Sequence, residues 1–241
     1  MGVTAWTGPL VDGRELYRFF HIGDDETFAL RGVSVSVSAG ELVAVVGPSG
    51  SGKSTLLACL AGLDEPDGGH VTIAGQRITR RDEAMRAGLR ARWIGMLMQS
   101  GNLLDHLNVA QNIQAARALV PRVPGSRRNG QPSRGRMSHG DAGRLLDDVG
   151  LAGRASARPS TLSGGEAARA ALAVAMANDP PVLFADEPTG EVDQEAEIRV
   201  LDLLRGRADR GKAVLVVTHS ETVAMAADRV VRMIDGRVTG E

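Results

Sequence analysis

A single cysteine, Cys59, stands in a chain of 241 residues. No disulfide framework or cysteine-based zinc site can therefore organise the fold, and Cys59, set among apolar residues, is read as a packing side chain. No segment approaches the roughly 20 apolar residues needed to cross a bilayer. The first thirty residues lack a basic start followed by an apolar stretch, so no secretory leader is expected. Both absences point to a cytoplasmic protein that reaches a membrane only through a partner. The net charge is −1 and the arginines are scattered, so no basic face argues for DNA or RNA and no nucleic-acid partner is expected. Aromatic residues number seven, and of 28 basic residues only Lys53 and Lys212 are lysine. The length suits one α/β domain with an inserted subdomain and leaves no room for a second catalytic domain.

One of those two lysines lies in the most informative stretch of the chain. Gly47, Pro48, Ser49, Gly50, Ser51, Gly52, Lys53, Ser54 and Thr55 follow the apolar run Leu42–Val46 and precede a helical opening, Leu56-Leu57-Ala58. This is the strand, glycine loop and helix of a P-loop. Glycines let backbone N–H groups curl round phosphates, Lys53 supplies a compact charge to the β/γ oxygens, and the Ser54 hydroxyl is a Mg²⁺ ligand. A planar guanidinium fits that cradle poorly, so a lysine here in an arginine-dominated chain suits the role, the alternative being coincidence. The ligand class is ATP or GTP.

Two further motifs narrow the chemistry. Pro181–Glu187 is an apolar strand ending in two carboxylates, where Asp186 can hold the Mg²⁺ shell and Glu187 can polarise an attacking water. Leu162, Ser163, Gly164, Gly165 and Glu166 open a helix, and a serine with two glycines at a helix N-terminus makes a second anion site from free N–H groups and the helix dipole.

The hydrophobic pattern places strands at 33–37, 42–46, 94–98, 182–185 and 213–217, short hairpins at 71–78 and 230–238, and helices near 82–92, from 105, from 144, at 166–177 and at 195–208. Between residues 121 and 140, Pro, Gly, Ser and Arg dominate, which reads as a solvated flexible loop.

With these motifs in this order, nearly the whole chain resembles the ATP-binding cassette family. The resemblance implies an α/β fold: a P-loop NTPase (RecA-like) core with an antiparallel β subdomain and an inserted α-helical subdomain. One ABC ATPase domain would fill residues 1–241, with the core near 1–99 and 160–241 and the helical part near 100–159. It implies ATP with Mg²⁺, and a head-to-tail homodimer in which Leu162–Glu166 of one copy meets the γ-phosphate held by the other. By position, Gln99 falls at the loop that senses Mg²⁺ and the attacking water. Asp193 of Glu191-Val192-Asp193 falls at the D-loop, and His219, after Val214–Thr218, at the histidine that contacts the γ-phosphate. The catalytic set is then Lys53, Glu187 and His219. Family members also stack an aromatic ring on adenine; register favours Phe20, while Tyr17 has the usual residue type three places early.

The chain departs from the family pattern at Glu166, where glutamine is usual, at Ala167-Ala168, which replaces a polar pair, and at Val174, where arginine is common. The motifs look most like cassettes serving lipoprotein release, macrolide export and cell division. That implies an ATPase subunit at the cytoplasmic face of the membrane, powering export or force transmission by a separate permease. The alternative is a soluble cassette ATPase not coupled to transport.

Overall fold

A computed structural model describes residues 6–22, 25–119, 139–190 and 192–240. The expected loop at 121–140 lies almost wholly outside these residues, as does Glu191. The two loop positions that are described, 139 and 140, belong to a helix, which corrects the loop's far boundary.

Six strands form the central sheet: β3 (Leu42–Val46), β6 (Ile94–Leu97), β7 (Val182–Asp186), β8 (Ala213–Val217), β9 (Arg229–Ile234) and β10 (Arg237–Gly240), in the order β10-β9-β3-β8-β7-β6. β9, β3, β8, β7 and β6 run parallel, and only β10 is antiparallel. Three of the four inner strands, β3, β7 and β8, read LVAVV, VLFAD and AVLVV. Such unbroken apolar runs suit strands covered on both faces, since alternation is needed only where one face is wet.

The two faces pack against different layers. Val43, Val45, Phe184, Leu215 and Val217 point into a core shared with α1 (Lys53–Leu60) and with an antiparallel sheet made of β1 (Val11–Ile22), β2 (Asp25–Val37), β4 (Gly68–Ile73) and β5 (Gln76–Arg77), ordered β2-β1-β4-β5. Their sequence neighbours Leu42, Leu183, Ala185, Val214 and Val216 point the other way, into a core built with helices. These are α3 (Val109–Ala118), α4 (His139–Asp148), α5 (Gly164–Ala175), α6 (Gln194–Asp209) and the short α7 (Glu221–Ala226). An amphipathic, arginine-rich α2 (Glu83–Trp93) precedes β6. Each large apolar side chain buried in these cores, such as Leu56, Leu57 and Leu60 on α1, contributes about 1.5–3 kcal/mol of transfer free energy.

Two strands and the short α7 differ from the sequence expectation. β2 begins eight residues before Val33, and β1 had no counterpart at all. β1 is irregular because Glu15 adopts a left-handed φ of 49° and the pairing with both neighbours shifts there. Its buried positions run Val11, Gly13, Leu16, so the bulge replaces strict two-residue alternation with a three-residue step.

Candidate functional site

Because β3, β8, β7 and β6 are parallel and adjacent, their carboxyl ends share one edge, the place where open α/β sheets present ligand sites. β3 leads into Gly47–Ser54, β7 ends in Asp186-Glu187, β8 is followed by Thr218-His219, and β6 by Gln99. Four segments spread over more than 170 positions of sequence are thereby collected at one edge.

The loop after β3 approaches other backbone so closely at two positions that only glycine fits there. Gly47 has φ 157°, and a Cβ there would lie 2.1 Å from the Met233 carbonyl oxygen; Gly52 has φ 96°, and its Cβ would lie 2.2 Å from that of Ala29. Gly52 is also the N-cap of α1, with no side-chain cap. The helices α2, α3, α5, α6 and α7 instead have their first turns closed by Asp82, Asn108, Ser163, Asp193 and Ser220. The N-terminal donors of α1 thus lack the carboxylate, amide or hydroxyl oxygen that caps α2, α3, α5, α6 and α7, which leaves them suited to an anion. Lys53 is nearly buried, 9% exposed, and its Nζ donates to the Gly47 and Pro48 carbonyl oxygens at 2.8 and 3.0 Å.

Asp186 is 7% exposed, and its Oδ1 is buried with no hydrogen-bond partner. Burial pushes its carboxyl above the ordinary carboxylate range; the adjacent Glu187 charge adds to this, while a Ser54 hydrogen bond and the Lys53 charge oppose it. A buried carboxylate oxygen left without a partner beside an exposed hydroxyl is a donor set suited to a hard divalent cation. Ser54 and Asp186 therefore fit Mg²⁺. Gln99 is exposed in a turn clipped by Asn102, which accepts from Met98 N at 2.7 Å and donates to Met98 O at 2.5 Å.

Glu187 has a left-handed φ of 49°, a conformation that costs a residue with a Cβ roughly 1–2 kcal/mol. Its amide donates to Val217 O at 2.8 Å, which binds the β7 end to the β8 end. Its Oε2 meets His219 Nδ1 at 2.9 Å and accepts from the His219 amide at 3.3 Å. The imidazole stays 72% exposed, so the pair lies at the open edge of the sheet.

The Leu162–Glu166 segment lies elsewhere. Among the described residues no hydrogen bond or ion pair joins it to Gly47–Ser54. Ser163 caps α5 in a capping box: Glu166 N donates to Ser163 Oγ at 3.2 Å and Ser163 N donates to Glu166 Oε2 at 2.9 Å. The Ser-x-x-Glu spacing carried that signal. Asp193 caps α6, accepting from Ala196 N at 2.8 Å.

The two aromatic candidates separate. Tyr17, 42% exposed, lies over Gly68 and Gly32 of the antiparallel sheet, where an added Cβ would come within 3.1 Å of its ring and 2.9 Å of its hydroxyl oxygen respectively. Phe20, 37% exposed, lies towards the far end of β1 with the Arg18 guanidinium 4.6 Å from its ring centre. Arg18 is itself held by Asp64 and Asp67 at 2.8 and 3.1 Å. Sequence reasoning missed this cluster, and it missed Glu197, which accepts from Ser220 Oγ at 2.6 Å and Thr189 Oγ1 at 3.3 Å; these partners are distant in sequence and no local pattern announces them.

Comparison with known proteins shows the family. Residues 30–190 match the family model described as ABC transporter. An ABC transporter ATP-binding protein of Thermotoga maritima is 40% identical over 226 residues, covering 94% of this chain and 92% of that protein. A macrolide export ATP-binding/permease protein of Burkholderia pseudomallei is 38% identical over 98% of this chain, which spans only 34% of that relative's length. A dimeric bacterial ABC transporter cassette superposes with a TM-score of 0.85 at 31% identity, covering 95% of this chain and 97% of that one. The same cassette is also known in a post-hydrolysis state bound to ADP and Pi, with the same TM-score of 0.85.

Proposed function

Because this chain belongs to the ABC transporter ATP-binding family, an ATP-hydrolysing family, we propose that two copies close head to tail on two ATP molecules. In this reading the P-loop of one copy cradles the phosphates and Leu162–Glu166 of the other completes the site. Gly47, Pro48, Ser49, Gly50, Ser51, Gly52, Lys53, Ser54 and Thr55 form the cradle, and Lys53 exchanges its two carbonyl partners for β- and γ-phosphate oxygens. Ser54, Asp186 and Gln99 are the oxygen donors for Mg²⁺, which when bound neutralises phosphate charge. Glu187 accepts a proton from the attacking water. Its carboxylate is engaged by His219, so the imidazole turns towards the γ-phosphate as the dimer closes. Asp193 lies beside the opposed site, and Phe20 stacks on adenine.

The work is done on a separate integral-membrane permease at the cytoplasmic face, with export or force transmission as the output and no nucleic-acid partner. No helix among the described residues is long and apolar enough to cross a membrane. Leu104, 48% exposed just after Gln99, supplies an apolar contact for that permease.

The observation that supports this reading most is α1. It is the one α-helix whose described N-cap lacks a side-chain oxygen, and it shares its edge with an unpartnered buried carboxylate oxygen. Three variants separate the roles. Lys53→Ala loses ATP affinity. Glu187→Gln keeps affinity, stops turnover and accumulates as an ATP-bound dimer on sizing. Ser163→Arg blocks that dimer and leaves monomer affinity unchanged. A Glu187→Gln variant that turns over at the parent rate, or a Ser163→Arg variant with the affinity loss of Lys53→Ala, would reject the assignment.

A further inference from the structure

The residue that departs most pointedly from the family pattern, Glu166, has a partner that no motif contains. Its carboxylate caps the Ser163 amide through Oε2, while Oε1 is held by Arg154 through Nε and Nη2, both at 2.8 Å. The Ser163 hydrogen bond, and after it Arg154, hold the Glu166 carboxyl below its ordinary range, so it is an anion at neutral pH. A carboxylate in the first turn of α5 uses the same positive helix end that a phosphate would use, and it repels that phosphate.

We propose that Arg154 is a positioning residue for the site in trans: it neutralises Glu166 and keeps the carboxylate turned onto the Ser163 amide, so that Ser163 and the α5 N-terminus can receive the partner copy's γ-phosphate. This rests on the head-to-tail reading above. The segment carrying Arg154 is built to keep it there. Arg154 N donates to Leu151 O at 3.0 Å, and Ala157 N donates to Arg154 O at 3.0 Å. The same segment is tied to the start of α3, where Val109 N and Ala110 N donate to Ala157 O and Ala155 O, each at 3.0 Å. All of these are backbone bonds that a side-chain substitution leaves in place. The Arg154 side chain is half exposed, so its removal opens no cavity. A glutamine at position 166 could make the same cap without the charge and would need no cation beside it.

The test is a double-substitution cycle in the Glu187→Gln background, reading the ATP-dependent dimer by analytical ultracentrifugation and ATP affinity of the monomer separately. Arg154→Ala is expected to weaken the dimer about tenfold, because each dimer contains two such pairs and a modest loss at each multiplies, within the usual range of coupling between sites. The same change made together with Glu166→Gln is expected to weaken it less than about twofold, and Arg154→Lys should retain most of the parent's closure. The Arg154→Ala penalty should also change between about 0.05 and 0.5 M salt, as an electrostatic effect does and a packing effect does not. A loss that is the same with and without the Glu166→Gln substitution, or no loss in either case, would overturn the role of Arg154. Absence of any ATP-dependent dimer in the Glu187→Gln parent would instead remove the head-to-tail reading, and this inference with it.

Discussion

Replacing Asp186 by asparagine should make the nucleotide-free protein more stable and the nucleotide-bound protein less so. The carboxylate is 7% exposed and its Oδ1 lacks a partner, so the folded chain keeps a group that water would solvate better. An unsatisfied buried polar group costs about 1–3 kcal/mol. Asparagine has the same shape and removes the charge, and its amide can keep the Ser54 contact while adding one imperfectly placed donor; a net gain of about 1 kcal/mol is expected at the low end of that range. For a chain of this size, 1 kcal/mol moves Tm by roughly 2–4 °C. With ATP and Mg²⁺ at about 100 times Kd, linkage adds about 2.7 kcal/mol to the parent, hence roughly 5–10 °C. Asp186→Asn, lacking the anionic oxygen that suits the cation, should gain only the smaller shift seen with ATP and EDTA. Differential scanning fluorimetry with and without ATP, Mg²⁺ and EDTA would show the two melting curves changing order. If the asparagine variant melts below the parent without nucleotide, or responds to Mg²⁺ as strongly as the parent does, the idea of a carboxylate held at a cost for a cation is wrong.

Phe20→Ala should lower ATP affinity by about 1 kcal/mol or more, the scale of one base–aromatic stack, in a fluorescent-nucleotide titration. Tyr17→Ala should leave affinity nearly unaltered and lower Tm, since its ring packs on Gly32 and Gly68 within the sheet; the reverse pattern would exchange their roles. Leu104→Ser, at a residue 48% exposed, should reduce co-purification with a co-expressed permease while basal ATPase activity and Tm hold, and a drop in Tm would mean that the leucine is part of the helical core. Burial pushes the Cys59 thiol up to about 12, so at pH 8 the native protein should resist a thiol reagent such as DTNB and release one equivalent only on unfolding; rapid labelling of the native form would contradict its place on the buried face of α1.

Local chemistry carried much of this protein in its sequence. The apolar runs of β3, β7 and β8 are legible because strands covered on both faces need no alternation, and the Ser163–Glu166 box is legible because a helix cap is closed within four residues. The P-loop was equally plain, since its glycines answer to backbone geometry: Gly47 and Gly52 sit where a Cβ would collide with the carbonyl oxygens of Met233 and Ala29. β1 was missed because a bulge at Glu15 breaks the two-residue alternation that marks a strand, and α7 because a helix of 6 residues offers too little periodicity.

What only the tertiary structure decided is which distant residues meet. The order β3-β8-β7-β6 brings His219 onto Glu187 and leaves Asp186 Oδ1 without a partner, and it arises from pairing between segments that are not neighbours in sequence, β3 with β8 and β8 with β7. Arg154 on Glu166, and Arg18 between Phe20 and the Asp64–Asp67 turn, likewise depend on loops brought together by core packing. Periodicity and capping report interactions between neighbours in sequence. A charge partner or a site edge is set by whole-chain packing, whose energy is spread over many apolar contacts that no short motif contains.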